Sequence, residues 1–319
     1  MGAGDKARTA GMIDMDNRKI LLIHLGGLGD MCLSESTFLS LSRHFEGNIE
    51  ALGYTRFFNL FQEYFSRIHS IESIKWLHLF SNHTPEIKYK RIIFIGKDRE
   101  GALRKRWQGF SEEPLIFIEM YPEDHPIVPR TKTIRDRQGS RFTVKSEPVT
   151  RHGLRITGSI HVEDYQLAQL SKYDVKAVKK DISPKPTDKV ILYPEPVFRK
   201  EKWSHENFVK LYRSLKLKGI AVHIVEALGL ELDIKEKVFF QDLTEVKKFF
   251  QNGGVFVSND SGMAHLAGIC GLFTITIFSG FDPFIWHPRG RGITLEQEKD
   301  GIEVASLERK ILETMEGNR

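Results

Sequence analysis

The chain has 319 residues, of which 40% are hydrophobic, and this is enough for two domains of ordinary size, each with its own core. Its formal net charge of +5 is modest, and its two cysteines, Cys32 and Cys270, form neither a CxxC pair nor a Cys/His cluster. These features argue against a disulfide framework and a structural zinc site, and they favour a reducing, cytoplasmic setting. No apolar run reaches the length that a membrane-spanning helix needs.

The first 18 residues are polar, contain glycine and lack the continuous apolar segment of a secretory signal. We therefore expect residues 1–18 to form a disordered leader, with the folded chain beginning near Lys19.

In the first half of the chain, short apolar runs alternate with amphipathic stretches. This alternation predicts an α/β fold, in which parallel sheets are wound with helices. The predicted strands are 19–25, 48–53, 71–77, 91–96 and 114–120, and the predicted helices are 30–45, 55–66 and 159–173. Together these elements predict an N-terminal domain over residues 19–180.

The first predicted strand runs directly into a glycine-rich turn, formed by Gly26, Gly27, Leu28, Gly29 and Asp30. Glycine permits either a positive φ or a close approach of the backbone to a neighbour, and aspartate is a residue type that caps a following helix. The spacing differs from the GxGxxG fingerprint of dinucleotide-binding proteins. A tight turn capped by aspartate, with no ligand, is the alternative interpretation.

A basic segment follows the last predicted strand of this half. Between residues 128 and 155 there are two acidic and eight basic side chains, the basic ones being Arg130, Lys132, Arg135, Arg137, Arg141, Lys145, Arg151 and Arg155. Such an excess attracts anionic partners, although a solvated loop with no partner is the common alternative. Nucleic acid is disfavoured as the partner, because no aromatic platform is interleaved in the segment and it contains no known binding motif.

Residues 181–188 contain two prolines that interrupt both the helical and the strand period, and this predicts an interdomain linker. Beyond it the alternation resumes and predicts a C-terminal domain over residues 189–319. Its predicted strands are 189–194, 220–226, 254–258 and 273–278, and its predicted helices are 205–217, 243–252, 261–270 and 306–315. Open α/β sheets of this kind bind ligands in the cleft outside the carboxyl ends of their strands.

The most informative turn lies in this second half, where a predicted strand turns into a helix through Ser261 and Gly262. The first N–H groups of a helix have no intrahelical acceptor and carry the positive end of the helix dipole, so they suit a phosphate or diphosphate. Asp260 and His265 are expected within reach of such an anion. The glycine turn of the first half would enter the same cleft and bring Asp30 to it. A well-capped turn without a ligand is the alternative.

Three motifs together resemble glycosyltransferase family 9, the heptosyltransferases of bacterial lipopolysaccharide assembly. They are the opening strand and glycine turn over residues 19–30, the segment around Lys202, Trp203 and Phe208, and the turn over residues 258–267. The resemblance covers most of the chain in outline. It implies the GT-B arrangement of two Rossmann-like domains with a cleft between them. It also implies that the C-terminal domain holds a nucleotide-diphosphate sugar and that the N-terminal domain binds the acceptor.

The resemblance assigns roles to individual residues. The aspartate that closes the family's glycine turn is its proposed general base, and that position is Asp30 here. The family's diphosphate-binding turn corresponds to Asp260, Ser261, Gly262, Met263 and His265. The residue types suit these roles, because an ordinary aspartate is ionised at neutral pH and oriented amides stabilise the charge on a departing diphosphate. Attack from the face opposite that diphosphate would invert the anomeric centre.

One position departs from the family pattern. Members commonly have a lysine two residues before the tryptophan, whereas this chain has Glu201 there. Lys200 or Lys202 is expected to supply the cation instead, since lysine acts as a flexible point charge. Glu226, at the end of a predicted strand, is a candidate for contact with the nucleotide ribose, and a solvated strand end is its alternative. Because of this departure the identity of the donor stays open, and ADP-heptose is one candidate.

We therefore expect a cytoplasmic, inverting glycosyltransferase, with heptose as the sugar that the resemblance favours. The expected acceptor is an anionic glycolipid, met at the inner face of the bacterial inner membrane through Arg130, Arg135 and Arg137. No cofactor or catalytic metal is implied, since the 12 histidines show no HExxH spacing. The alternatives are a non-catalytic sugar-nucleotide-binding protein and, ranked below it, an oxidoreductase or methyltransferase of Rossmann type.

Overall fold

A computed structural model describes residues 19–81, 89–98, 100–122, 160–195, 202–226, 232, 234, 237–297 and 301–317, together with the backbone of 133–135 and 141–143. The predicted leader over residues 1–18 lies outside the described residues, and so does most of the basic segment.

The first half of the chain forms a parallel sheet flanked by helices. Its strands are β1 (Ile20–His24), β2 (Ile49–Gly53), β3 (Arg67–Ser70), β4 (Arg91–Gly96) and β5 (Ile116–Glu119). Its helices are α1 (Leu28–Leu33), α2 (Glu35–His44), α3 (Thr55–Phe58), α4 (Ala102–Trp107) and α5 (Val162–Gln169), with 3₁₀-helices at Asn59–Tyr64, Ile74–Leu79 and Leu170–Tyr173. The strand order is β3-β2-β1-β4-β5. Two short strands, β6 (Thr133–Arg135) and β7 (Arg141–Thr143), pair antiparallel as a separate ribbon.

The second half forms another parallel sheet. Its strands are β8 (Val190–Tyr193), β9 (Val222–Val225), β10 (Lys237–Val238), β11 (Val255–Asn259), β12 (Phe273–Phe278) and β13 (Gly292–Glu296). Its helices are α6 (His205–Leu217), α7 (Leu243–Phe250), α8 (Gly262–Ile269), α9 (Pro283–Trp286) and α10 (Val304–Gly317). The strand order is β10-β9-β8-β11-β12-β13. The predicted α/β class, with one parallel sheet in each half, is confirmed.

Two of the predicted secondary-structure elements were wrong. The strand expected over residues 71–77 is absent, because the strand of that region is β3 and the apolar run after it forms the 3₁₀-helix Ile74–Leu79. The long helix expected over residues 55–66 is divided into α3 and a 3₁₀-helix, and Phe61 has a non-helical φ of −129°. The edge strands β10 and β13 were not predicted. In β13 exposed residues alternate with half-buried ones, so it lacks the continuous apolar run of a central strand.

The described residues form three apolar clusters. One lies within the first half and contains Leu21 and Ile23 of β1, and a second lies within the second half and contains Val190 of β8. The third is shared by the two halves, because Leu22 of β1 and Phe256 of β11 belong to it. Alternate residues of a strand point to opposite faces of the sheet, so each sheet has one face on its own cluster and one face on the shared cluster.

A buried ion-pair network also crosses between the halves. Arg289, which follows α9 and is only 4% exposed, contacts Glu35 of α2 and Glu163 of α5 at 2.6 Å each. Its guanidinium also donates to Ser36 Oγ at 3.1 Å and to the backbone oxygen of Lys180 at 3.2 Å. A planar guanidinium with several donors suits such a site. The network also holds Lys180, the residue immediately before the predicted linker, to Arg289 of the second half.

Candidate active site

The N-terminal ends of α1 and α8 lie directly against each other. A Cβ atom added at Gly262 would lie 2.9 Å from Cβ of Leu28 and 3.1 Å from the nitrogen of Gly29. A Cβ atom added at Gly29 would lie 3.1 Å from Cδ2 of His265. A side chain at Gly262 would clash with α1, whereas one at Gly29 would require His265 to shift slightly. The two turns singled out in the sequence are therefore brought together, one from each half.

Close approach also explains the glycine that opens the first turn. A Cβ atom at Gly26 would lie 2.6 Å from Cβ of Asp30 and 2.7 Å from Cε1 of His24. The alternative reason for glycine, a positive φ, does not apply, because Gly26, Gly27 and Gly29 are not among the residues with positive φ. The absence of a side chain at Gly26 leaves room for the side chain of Asp30 to pack against the turn.

Asp30 is the third residue of α1, and Gly27 is the residue that precedes the helix, so the alternative in which Asp30 is the N-cap does not hold. From this position its Oδ2 accepts a hydrogen bond from the backbone N–H of Gly27 at 2.8 Å. Its Oδ1 accepts a hydrogen bond from the hydroxyl of Tyr121. A carboxylate at the start of a helix interacts favourably with the helix dipole.

Tyr121 follows β5 and was not identified from the sequence. Its ring lies 4.7 Å from the ring of Trp286 in α9, so it joins the two halves, and Nζ of Lys97 lies 4.8 Å from the same ring. Burial, and then the neighbouring Asp30 carboxylate, raise the pKa of Tyr121. The tyrosine therefore remains a neutral hydrogen-bond donor throughout the physiological pH range.

The expected anion site lies at the start of α8. Ser261 precedes the helix, and its hydroxyl accepts from the N–H of Ala264 at 3.4 Å. The N–H groups of Gly262 and Met263 come first in the helix, and no described residue accepts a hydrogen bond from either. Because the side chain of Met263 is buried, this residue offers only its backbone amide. Free amides at a helix N-terminus suit a phosphate group, and the anion site stays a prediction.

His265 and Asp260 flank these amides. Burial, helped by the nearby His161 and His287, lowers the pKa of His265 to about 3, so its imidazole is neutral. Its Nδ1 is buried and has no hydrogen-bond partner among the described residues, while its Nε2 lies 3.9 Å from Oδ1 of Asp260. Burial raises the pKa of Asp260 to about 6, against the opposing effect of Lys202. An unpaired buried nitrogen beside free amides is a group that a ligand would satisfy.

Lys202 is the cation that the structure brings to this turn. Its Nζ pairs with the carboxylate of Glu195 and lies 3.5 Å from the backbone oxygen of Asp260. Burial lowers the pKa of Lys202. The other candidate, Lys200, lies outside the described residues, as does Glu201. Glu226 follows β9, and its carboxylate pairs with Nζ of Lys237 at 2.6 Å.

Asn259 links the tryptophan motif to the anion site, and sequence reasoning did not identify it. Its Oδ1 accepts from the N–H of Trp203 at 3.0 Å, and its Nδ2 donates to the carbonyl of Trp203 at 3.1 Å. The indole of Trp203 is buried and donates to the carbonyl of Ile302 at 2.8 Å. This pairing fixes the adjacent Lys202 beside the turn. The sequence did offer one signal for Asn259, because it is a polar residue at the end of an apolar strand.

The predicted acceptor residues are not placed by the structure. Arg130 and Arg137 lie outside the described residues, and Arg135 belongs to β6, whose side chains are likewise outside them. In the described part of the chain, no group of three or more His, Cys, Asp or Glu side chains is arranged to hold a metal ion. The helices of that same part include none with the length and apolar character needed to cross a bilayer.

No protein-family model matches the chain, and no curated protein matches it. Solved structures do match it, at a probability of 1.00. The E. coli heptosyltransferase WaaC with ADP is 15% identical, with a TM-score of 0.61 over 94% of this chain and 100% of that one. A glycosyltransferase of family 9 from Veillonella parvula is 13% identical, with a TM-score of 0.58 over 96% and 98%. The E. coli ADP-heptose lipopolysaccharide heptosyltransferase II is 14% identical, with a TM-score of 0.55 over 93% and 98%.

At these identities the likeness establishes the fold. The chain has the GT-B architecture of two Rossmann-like sheets, and it resembles glycosyltransferases of family 9 along nearly its whole length. The fold expected from the three sequence motifs is therefore confirmed.

Proposed function

We propose that the protein is a glycosyltransferase of family 9 that transfers a sugar, with inversion, from a nucleotide diphosphate to a hydroxyl group of an anionic glycolipid. One observation carries the proposal: the contact between α1 and α8 brings the turn that carries Asp30 against the turn that carries the free amides of Gly262 and Met263. This reaction requires a base for the acceptor hydroxyl and a site that stabilises the departing diphosphate. The two halves supply one each.

In the proposed reaction, Asp30 accepts the proton of the acceptor hydroxyl while the oxygen attacks the anomeric carbon. The bond between that carbon and the diphosphate oxygen breaks, and the electron pair leaves with the diphosphate. The amides of Gly262 and Met263 stabilise the charge that develops on this leaving group. Because the nucleophile and the leaving group occupy opposite faces of the sugar, the anomeric configuration inverts.

Lys202 is proposed to add positive charge to the same leaving group. In the structure its ammonium group pairs with Glu195, and donor binding would let the diphosphate share this contact. Glu226, held by Lys237 at the end of β9, is proposed to accept hydrogen bonds from the nucleotide ribose. In the sheet one strand, β8, lies between β9 and β11, so the ends of β9 and β11, which carry Glu226 and the anion site, are about 10 Å apart. This separation suits a nucleoside and its diphosphate.

ADP-heptose is the first donor to test, because one of the similar structures is of a heptosyltransferase with ADP. The acceptor is proposed to be met at the inner face of the inner membrane, with Arg130, Arg135 and Arg137 contacting its anionic groups. A non-catalytic sugar-nucleotide-binding protein would bind the same donors and differ only in turnover.

The test is a thermal-shift screen with ADP-, GDP-, UDP- and dTDP-sugars, followed by turnover of the donor that stabilises the protein. A ligand that binds the native state raises its apparent stability, by about 2.7 kcal/mol at one hundred times its dissociation constant. We expect one nucleotide class to stabilise the protein and the transferred sugar to have the inverted configuration by NMR. Absence of any stabilisation would reject the donor site, and binding without turnover would favour the non-catalytic alternative.

A further inference from the structure

The 3₁₀-helix Ile74–Leu79 has an apolar outer row. In a 3₁₀-helix, which has three residues per turn, side chains three positions apart are eclipsed. Ile74, Leu77 and Phe80 therefore line up in one row, and they are 83%, 59% and 39% exposed. We call this row the apolar ridge. Large apolar side chains exposed singly are ordinary, whereas three in one contiguous row indicate an interaction surface.

The ridge is attached firmly to the first half of the protein. The opposite row of the same helix points inward, where Leu79 is fully buried and Trp76 packs on the same apolar cluster. The indole nitrogen of Trp107 donates to the carbonyl of Leu79 at 2.9 Å. Arg106 donates to the carbonyls of Leu79 and His78 at 2.8 Å each. The helix is thus anchored by its inner row and by α4. In the outer row, the Phe80 ring also packs edge-on against Trp107 at 5.8 Å, whereas Ile74 and Leu77 are the most exposed of the three side chains.

The surroundings of the ridge are basic. The segments 67–81 and 100–108, which contain the ridge helix and the α4 helix that supports it, carry two acidic side chains, Glu72 and Glu100, and five basic ones, Arg67, Lys75, Arg104, Lys105 and Arg106. All of these except Arg106 are exposed, and the Arg106 guanidinium is placed beside the ridge by its bonds to residues 78 and 79. An apolar row flanked by cations is complementary to an anionic lipid surface, which offers acyl chains below a layer of negative charge.

A second copy of this chain is a poorer partner for the same surface. Association of two copies through the ridge would place the basic side chains of one copy against those of the other, and like charges disfavour such an interface. Anionic lipid satisfies both the apolar row and the cations.

We propose that the apolar ridge of Ile74, Leu77 and Phe80 inserts into the headgroup layer of an anionic bilayer, with the surrounding Lys and Arg side chains contacting the lipid headgroups. The ridge belongs to the half that is proposed to bind the acceptor, so docking presents that half to a lipid-linked sugar. This biological purpose rests on the proposed function, whereas lipid binding itself does not.

The test is flotation of the full chain with vesicles of phosphatidylcholine alone or mixed with phosphatidylglycerol. We expect binding to the mixed vesicles, little binding to phosphatidylcholine alone, and loss of binding as salt rises from about 0.1 M to about 1 M, since salt screens the headgroup charge. The double variant Ile74→Ser/Leu77→Ser should bind at least about tenfold more weakly, because it removes most of the apolar insertion. Lys75→Ser/Lys105→Ser should bind more weakly and with a smaller salt dependence.

Leu217→Ser is the matched control. Leu217 is 89% exposed at the end of α6 and lies between Lys216 and Lys218, so it shares the local chemistry without forming a row. This variant should bind vesicles like the wild type, and all variants should keep the circular dichroism spectrum and melting temperature of the wild type.

The proposal is wrong if the wild type does not float with phosphatidylglycerol, if it binds both vesicle types equally, or if the ridge variant binds as well as the Leu217 control. A dimer in light scattering that the ridge variant abolishes, without vesicle binding, would assign the ridge to self-association instead. Thermal shifts with nucleotide sugars, measured on the same variants, are independent of these outcomes. Failure of lipid docking is therefore distinguishable from failure of the proposed glycosyl transfer.

Discussion

The hydroxyl of Tyr121 donates a hydrogen bond to Oδ1 of Asp30, while the amide of Gly27 donates to Oδ2 of the same carboxylate. Both carboxylate oxygens therefore have a donor before a substrate arrives. The contact orients the proposed base, and it also occupies an oxygen that the acceptor hydroxyl has to reach. Because Tyr121 packs on Trp286, the orientation of the carboxylate depends on both halves of the protein.

Replacing Tyr121 with Phe should lower kcat by about tenfold to a hundredfold, since a hydrogen bond to a charged group contributes about 1.5–3 kcal/mol. Donor affinity, measured by calorimetry, should stay unchanged because the donor is held by the other half. The control is Tyr173→Phe, which removes a hydroxyl that donates to the carbonyl of Phe117 at 2.8 Å. A Tyr121→Phe enzyme with the kcat of this control would show that the contact has no role in the reaction.

Asp30→Asn should reduce donor turnover by about a hundredfold to ten-thousandfold, the usual range for loss of a general base. Asparagine keeps the shape and cannot accept the proton, so donor binding should persist in a thermal-shift assay. Asp98→Asn is the control, because Asp98 accepts from the N–H groups of Leu103 and Arg104 at the start of α4 and lies outside the proposed site. Equal turnover in the two variants would remove Asp30 from the mechanism.

Asp260 should make folding stability depend on pH. Its pKa is raised from 3.8 to about 6 in the folded protein, so its protonated form is favoured there. The associated stability is complete below the unfolded pKa and is lost as the pH rises through about 6. Asp260→Asn, which stays neutral, should therefore raise the free energy of unfolding at neutral pH, by at most about 3 kcal/mol, and should have little effect at about pH 4.

Urea unfolding at a series of pH values measures this difference. Asp242→Asn supplies the opposite sign, because the exposed Asp242 carboxylate caps α7 and the hydrogen bonds from Thr244 and Glu245 lower its pKa. That variant should lose stability at neutral pH. Parallel pH profiles for the wild type and Asp260→Asn would contradict the prediction.

Arg289→Met should lower the free energy of unfolding by about 3–5 kcal/mol, because it leaves the carboxylates of Glu35 and Glu163 buried without their cation. Arg309→Met on the exposed face of α10 should change stability by no more than about 0.5 kcal/mol. Denaturant unfolding of both variants decides the matter. Similar midpoints for the two would mean that the ion-pair network contributes nothing.

The local sequence predicted the two turns that form the candidate site. The apolar run of β11 ends where Ser261 caps α8, and the run of β1 ends at the glycine turn, so each turn is encoded by adjacent residues. The region after β3 shows the limit of this reasoning. Ile71, Ile74 and Leu77 recur every third residue, which fits neither a strand nor an α-helix, and the segment was nevertheless read as a strand.

The remaining site residues depend on contacts between distant parts of the chain. Tyr121 meets Asp30 across 91 positions, and Arg289 meets Glu35 across 254. Neither pairing leaves a periodic signal, because the first depends on how the elements of one sheet are arranged and the second on how the two halves pack together. Asn259 was closer to recognition, since a polar residue that ends a buried strand needs a partner for its amide.

The cluster shared by the two sheets couples the melting of one half to that of the other. Phe250 and Phe256 of the second half belong to the same buried cluster as Phe38 and Phe58 of the first, so separating the halves would expose apolar surface of both to water. Calorimetry should accordingly record a single endotherm, and chains expressed as separate halves should aggregate unless they are produced together. A nucleotide sugar that binds only the second half would protect the first half from heat to the same extent, because the two share one cooperative transition.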